Sequence, residues 1–88
     1  MSIRIRSGSL LARYTDHKEV IEVEGKTIME SLRNLVAAFP QLKLFDDKGK
    51  LLDFYGIYLN NKQVLPKEMA APVRDGDEIV IVVMVEGG

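Results

Sequence analysis

A chain of 88 residues, 47% hydrophobic and 28% charged, has the size and composition of one globular domain with a modest core. It has no cysteine and a single histidine, which excludes a disulfide-stapled scaffold, thiol catalysis and Cys- or His-rich metal sites. Twelve basic against thirteen acidic side chains leave a net charge of −1, without the basic excess that polyanion binders carry, so no nucleic-acid partner is expected.

Met1–Arg6 alternates apolar and charged residues where a secretion signal would be apolar, and no apolar run reaches membrane-spanning length. A cytoplasmic address with no membrane contact is the expectation. Ile3 and Ile5 alternating with Arg4 and Arg6 predict a half-buried strand, broken at Ser7-Gly8-Ser9. The stretch to Asp16 reads as a loop or irregular connection. Glu19–Glu24 alternates again, with Ile21 and Val23 on one face, and completes a hairpin.

The period then changes. Thr27 and Glu30 have the capping-box spacing, and Ile28, Leu32, Leu35, Val36 and Phe39 form one apolar stripe of a helix that Pro40 stops. Leu42–Phe45 reads as a short strand followed by a turn at Asp46-Asp47-Lys48-Gly49, and Leu51–Leu59 as a strand ending at Asn60-Asn61. Gln63-Val64-Leu65 is a short return strand, and residues 66–74 are irregular or one helical turn.

After the Asp75-Gly76-Asp77 turn comes Ile79–Val85, seven apolar residues in a row. Such a run is expected in a central strand, parallel to a neighbour. Pairing it with the first strand across the single helix places it mid-sheet. One helix covers one face, so the other face stays partly bare. That face presents Val80, Val82 and Met84 or their alternates, and Val80, Val82 and Met84 are taken as a partner-docking surface.

The chain closes on Val85-Glu86-Gly87-Gly88. Two residues without Cβ atoms are thin enough to thread a cleft that any side chain would block. What they deliver is an α-carboxylate, which becomes electrophilic once it attacks the α-phosphate of ATP and forms an acyl-adenylate. No Gly-rich phosphate loop is present to bind ATP, so activation is expected from another protein. The chain then reads as a carrier or substrate and not as an enzyme.

The turn "DDKGK", the strand "YLNN" and above all "VRDGDEIVIVVMVEGG" resemble the ubiquitin-like sulfur carriers of the MoaD/ThiS type, most nearly the small subunit of molybdopterin synthase. The resemblance implies an α+β fold of β-grasp (ubiquitin-like) type, with a mixed sheet of four to five strands and one main helix on one face. Residues 1–85 form that domain and 86–88 a flexible diglycine tail. It further implies an E1-like adenylyltransferase using Mg-ATP, conversion of the Gly88 carboxylate to a thiocarboxylate with Gly87 as the slim approach, and a sulfur-accepting partner such as the MoaE-like large subunit. No cofactor and no metal is bound by the chain itself. "VMVEGG" lacks the prolines frequent before the family's tail, and "NN" replaces the usual Asn-Gly. The alternatives are a protein modifier joined to target lysines through the same glycine, a thiamine-pathway carrier, and an interaction module with an inert tail.

His17 reads as a loop residue. Asp75, Asp77 and Glu78 read as a turn before a strand and not as a calcium loop. Arg4 and Arg6 belong to a solvated strand face, and Tyr14, Tyr55 and Tyr58 to the core or its rim.

Overall fold

The computed structural model describes residues 2–84. Five strands make one sheet: β1 (Ser2–Arg6), β2 (Val20–Glu24), β3 (Tyr55–Leu59), β4 (Lys62–Val64) and β5 (Glu78–Val83), in the order β2-β1-β5-β3-β4. β1 and β5 run parallel, with Ile5 beside Ile79, and the other neighbours are antiparallel. The apolar run near the end of the chain is thus the central strand, flanked on both sides, as its two apolar faces require.

Helix α2 (Ile28–Ala38) covers one face. Its start is the capping box that the sequence spells. Thr27 Oγ1 accepts from the Glu30 N–H at 3.0 Å, and Glu30 Oε1 accepts from the Lys26 N–H at 2.8 Å. The N–H groups of Ile28 and Met29 reach the carbonyls of Ala71 and Met69, so the segment before β5 satisfies two more donors of the first turn. Ile28, Leu32 and Leu35 bury completely against Ile3, Ile5, Ile57, Ile79 and Ile81. Val36 and Phe39 pack at its edge.

Three sequence expectations need correction. Residues 7–16 are not simply a loop: Gly8–Ala12 forms a one-turn helix, α1. Five residues cannot sustain a helix by propensity. It is held by burial of Leu11 and Ala12 and by Thr15, whose hydroxyl donates to the Ala12 carbonyl at 3.3 Å. Leu42–Phe45 makes no strand, only a bridge from Phe45 to Leu51. Leu42 and Leu44 do alternate inward and are fully buried, but no neighbouring strand runs beside them. β3 begins at Tyr55, not Leu51, because Asp53-Phe54 is spent in a turn closed by the Tyr55 N–H on the Leu52 carbonyl.

The turn before β5 is cross-braced. Gly76 takes φ +87°, where a side chain is strained, and its N–H donates to the Ser2 carbonyl. Asn60 accepts from the Glu78 N–H and donates to Asp77, both at 3.0 Å. Asn60 and Asn61 hold φ of 48° and 72°, a left-handed pair that asparagine tolerates.

Candidate functional site

The face of the sheet away from α2 has two halves. On β1 and β2, Arg4 stands beside Glu22 and Glu78, and Arg6 reaches Glu78 at 3.4 Å. On β5 and β3, Val80 lies opposite Tyr58, and Val82 lies opposite Gly56. Ile79 and Ile81 are buried in the core while Val80 and Val82 are only partly buried, which puts these two on the face away from α2.

Gly56 shapes the apolar half. A Cβ there would stand 2.9 Å from Val82 Cγ2 and 3.3 Å from Met84 Sδ. Both side chains therefore lie flat across the β3 backbone in space that only glycine leaves. Met84 follows the last residue of β5, and its N–H donates to the Phe54 carbonyl at 2.7 Å. The chain thus leaves the sheet beside an exposed aromatic. The Phe54 and Tyr55 rings sit 4.6 Å apart, and burial raises the pKa of the Tyr55 phenol, with Tyr14 adding to the rise.

Gly87 and Gly88, the residues proposed to carry the chemistry, lie outside the described residues. What the structure positions is the root from which they extend. Among the described residues no group of His, Asp and Glu is arranged to hold a metal, and no helix is long and apolar enough to cross a membrane.

Residues 10–88 match the model of the ThiS family. This chain belongs to the ThiS family. Members are ubiquitin-like sulfur carriers. Among solved structures, the chain is similar to SAMP1 from Haloferax volcanii, with 25% identity over all of both chains and a TM-score of 0.86. It is also similar to CysO from Mycobacterium tuberculosis, with 25% identity over 94% of this chain and 99% of that one and a TM-score of 0.82. The complex of subunits 1 and 2 of the molybdopterin-converting factor from Helicobacter pylori matches in fold, at 23% identity over all of both chains and a TM-score of 0.67. No curated protein matches the chain.

With the family in hand, the surroundings of Met84 gain importance, and two residues there, Phe54 and Leu65, have no functional reading in the sequence. Phe54, Leu65 and Met84 are 48%, 43% and 47% exposed, three of the four large exposed hydrophobics among the described residues. Leu65 and Met84 share a cavity of about 280 Å³, which Gly56 also lines. In the sequence Phe54 reads only as strand content, because the Asp53-Phe54 turn that exposes it has no Gly or Pro to mark it. Leu65 lies nineteen positions before Met84 in the chain, and nothing local links them.

Proposed function

We propose that this ThiS-family chain carries sulfur on its C-terminal glycine. The supporting observation is that the family match runs through residue 88, while β5, in the middle of the sheet, brings Met84 to an exposed apolar surface four residues earlier. Four residues extend at most about 13–14 Å, so whatever acts on Gly88 must come close against this end of the sheet.

The chemistry asks little of the chain beyond delivery. The Gly88 carboxylate attacks the α-phosphate of ATP held by an E1-like adenylyltransferase, and pyrophosphate leaves. A sulfide-level sulfur donor then attacks the acyl carbon and AMP departs, leaving a thiocarboxylate. Gly87 and Gly88 present no side chain to the cleft where this happens. Val80, Val82 and Met84 form the apolar docking surface, with Arg4, Arg6 and Glu78 as a charged margin that sets orientation. In this reading the chain is a non-catalytic carrier. The first acceptor to test is a molybdopterin synthase large subunit, on the strength of the Phe45–Asn61 stretch that resembles the longer carriers.

A second reading has support of its own: SAMP1, similar over its whole length, is named a small archaeal modifier protein. In that reading a lysine amine attacks the same adenylate-derived acyl group and forms an isopeptide bond. The two part at the acceptor. Incubating the chain with an adenylyltransferase, Mg-ATP and sulfide, then with a synthase large subunit or a lysate, distinguishes them. Thiocarboxylate formed and consumed without conjugates supports the carrier, diglycine-dependent isopeptide adducts support the modifier, and no pyrophosphate release contradicts both.

A further inference from the structure

The cavity at the tail root is built differently from the rest of the core. Three of the four methionines in the chain line it, each from a different element: Met29 from the first turn of α2, Met69 after the turn Pro66–Glu68, and Met84 after β5. The Met29 N–H donates to the Met69 carbonyl at 2.9 Å, so the two inner methionines are fixed next to each other at the backbone. Their side chains are unbranched and polarizable, and such side chains repack around an inserted group at little cost. The lining side chains are apolar apart from Lys50, Asp53, Gln63 and the hydroxyl of Tyr55. At about 280 Å³ it is roomier than the ~150 Å³ apolar cavity known to admit a benzene ring.

We propose that this cavity receives one apolar side chain, leucine- to phenylalanine-sized, from the adenylating enzyme. The inference rests on the carrier reading and locates where that enzyme anchors. Two observations select the occupant. The remaining four residues reach no more than about 13–14 Å beyond Met84, so an enzyme engaging Gly88 is held within that distance of the cavity. Met84 and Gly56 also belong at once to the cavity and to the bare sheet face, so a protein lying on Val80 and Val82 continues over the opening without a break. A buried apolar anchor framed by polar residues is the usual centre of such a contact.

Methyl-labelled methionine reads this directly. Met84 reports the bare face, and Met29 and Met69 report the cavity. On adding the adenylyltransferase with ATP, all three methyl signals shift, and the Met69 shift saturates in step with adenylation. A shift at Met84 alone, with adenylation proceeding, overturns the cavity as an anchor site and leaves the carrier reading standing. Absence of wild-type adenylation overturns the carrier reading and the anchor with it. Shifts at Met29 and Met69 that depend on the concentration of this chain alone make a second copy the occupant and overturn the proposal. Leu65→Glu changes an exposed side chain at the cavity, so the fold is kept. It raises the KM for the carrier by about tenfold with little change in kcat. An unchanged KM contradicts the anchor.

Discussion

The N–H of Met84 donates to the carbonyl oxygen of Phe54 across 2.7 Å, one step beyond the last ladder pair, Tyr55 with Val83. The sheet therefore holds the chain to within four residues of Gly88. A longer unpaired lead would spread the reactive end over a larger volume and weaken any coupling between docking and delivery. On the carrier reading proposed above, an enzyme that engages Gly88 works within reach of the surface around Met84.

Gly56 maintains that surface. Replacing it with alanine sets a Cβ 2.9 Å from Val82 Cγ2, which is too close for the central strands to absorb without movement. Gly56→Ala is expected to cost about 1–3 kcal/mol of stability, the range for overpacking. Adding Val82→Ala removes the atom it meets and recovers part of the loss. Urea unfolding of the wild type and the two variants measures this, and an unchanged midpoint for Gly56→Ala contradicts the packing described.

The helix cap gives a second expectation. Thr27→Ala removes the acceptor for the Glu30 N–H and should cost about 1 kcal/mol in chemical denaturation.

The turn before β5 yields a pH dependence. The Arg74 N–H, and after it the Asn60 side-chain amide, hold the Asp77 carboxyl below its ordinary value of 3.8. A group depressed in the folded state adds stability above its unfolded pKa and loses it as pH falls through the folded value. The stability advantage of the wild type over Asp77→Asn should thus shrink on acidification below about pH 4. Asp77 is only partly buried, in a surface turn, so the effect is small and screened by salt. A gap that stays constant from pH 6 to pH 2.5 contradicts this assignment.

Truncating Gly87 and Gly88, or extending the chain past Gly88, is expected to abolish pyrophosphate release by the adenylyltransferase. Circular dichroism of the same samples should show the fold intact. Activity retained in the extended protein contradicts a reaction at the Gly88 carboxylate.

Much of the architecture was legible because it repeats locally. The Thr27–Glu30 spacing and the apolar stripe specify α2, and the unbroken run Ile79–Val83 needs neighbours on both sides, which fixes it as the central strand beside β1. One helix leaves a bare face, but a strand apolar on both sides does not say which alternate residues line it; the burial of Ile79 and Ile81 in the structure leaves Val80 and Val82 there. What escaped depends on contacts between distant segments. α1 exists because Leu11 and Ala12 find the core, which five residues of sequence do not announce. The cavity forms where Met29, Leu65, Met69 and Met84 converge, and no spacing rule brings those positions together. Leu42 and Leu44 show the opposite failure: alternation reported burial correctly and implied a strand partner that is not there.

The most direct test of sulfur carriage is the intact mass of the chain recovered from its native cell, with fragmentation to locate any change. The account predicts a population heavier by the exchange of one oxygen for sulfur, with that change confined to Gly88 as the last residue. A chain found only with an unaltered carboxylate, both in the cell and after exposure to the adenylyltransferase, Mg-ATP and sulfide, would contradict it.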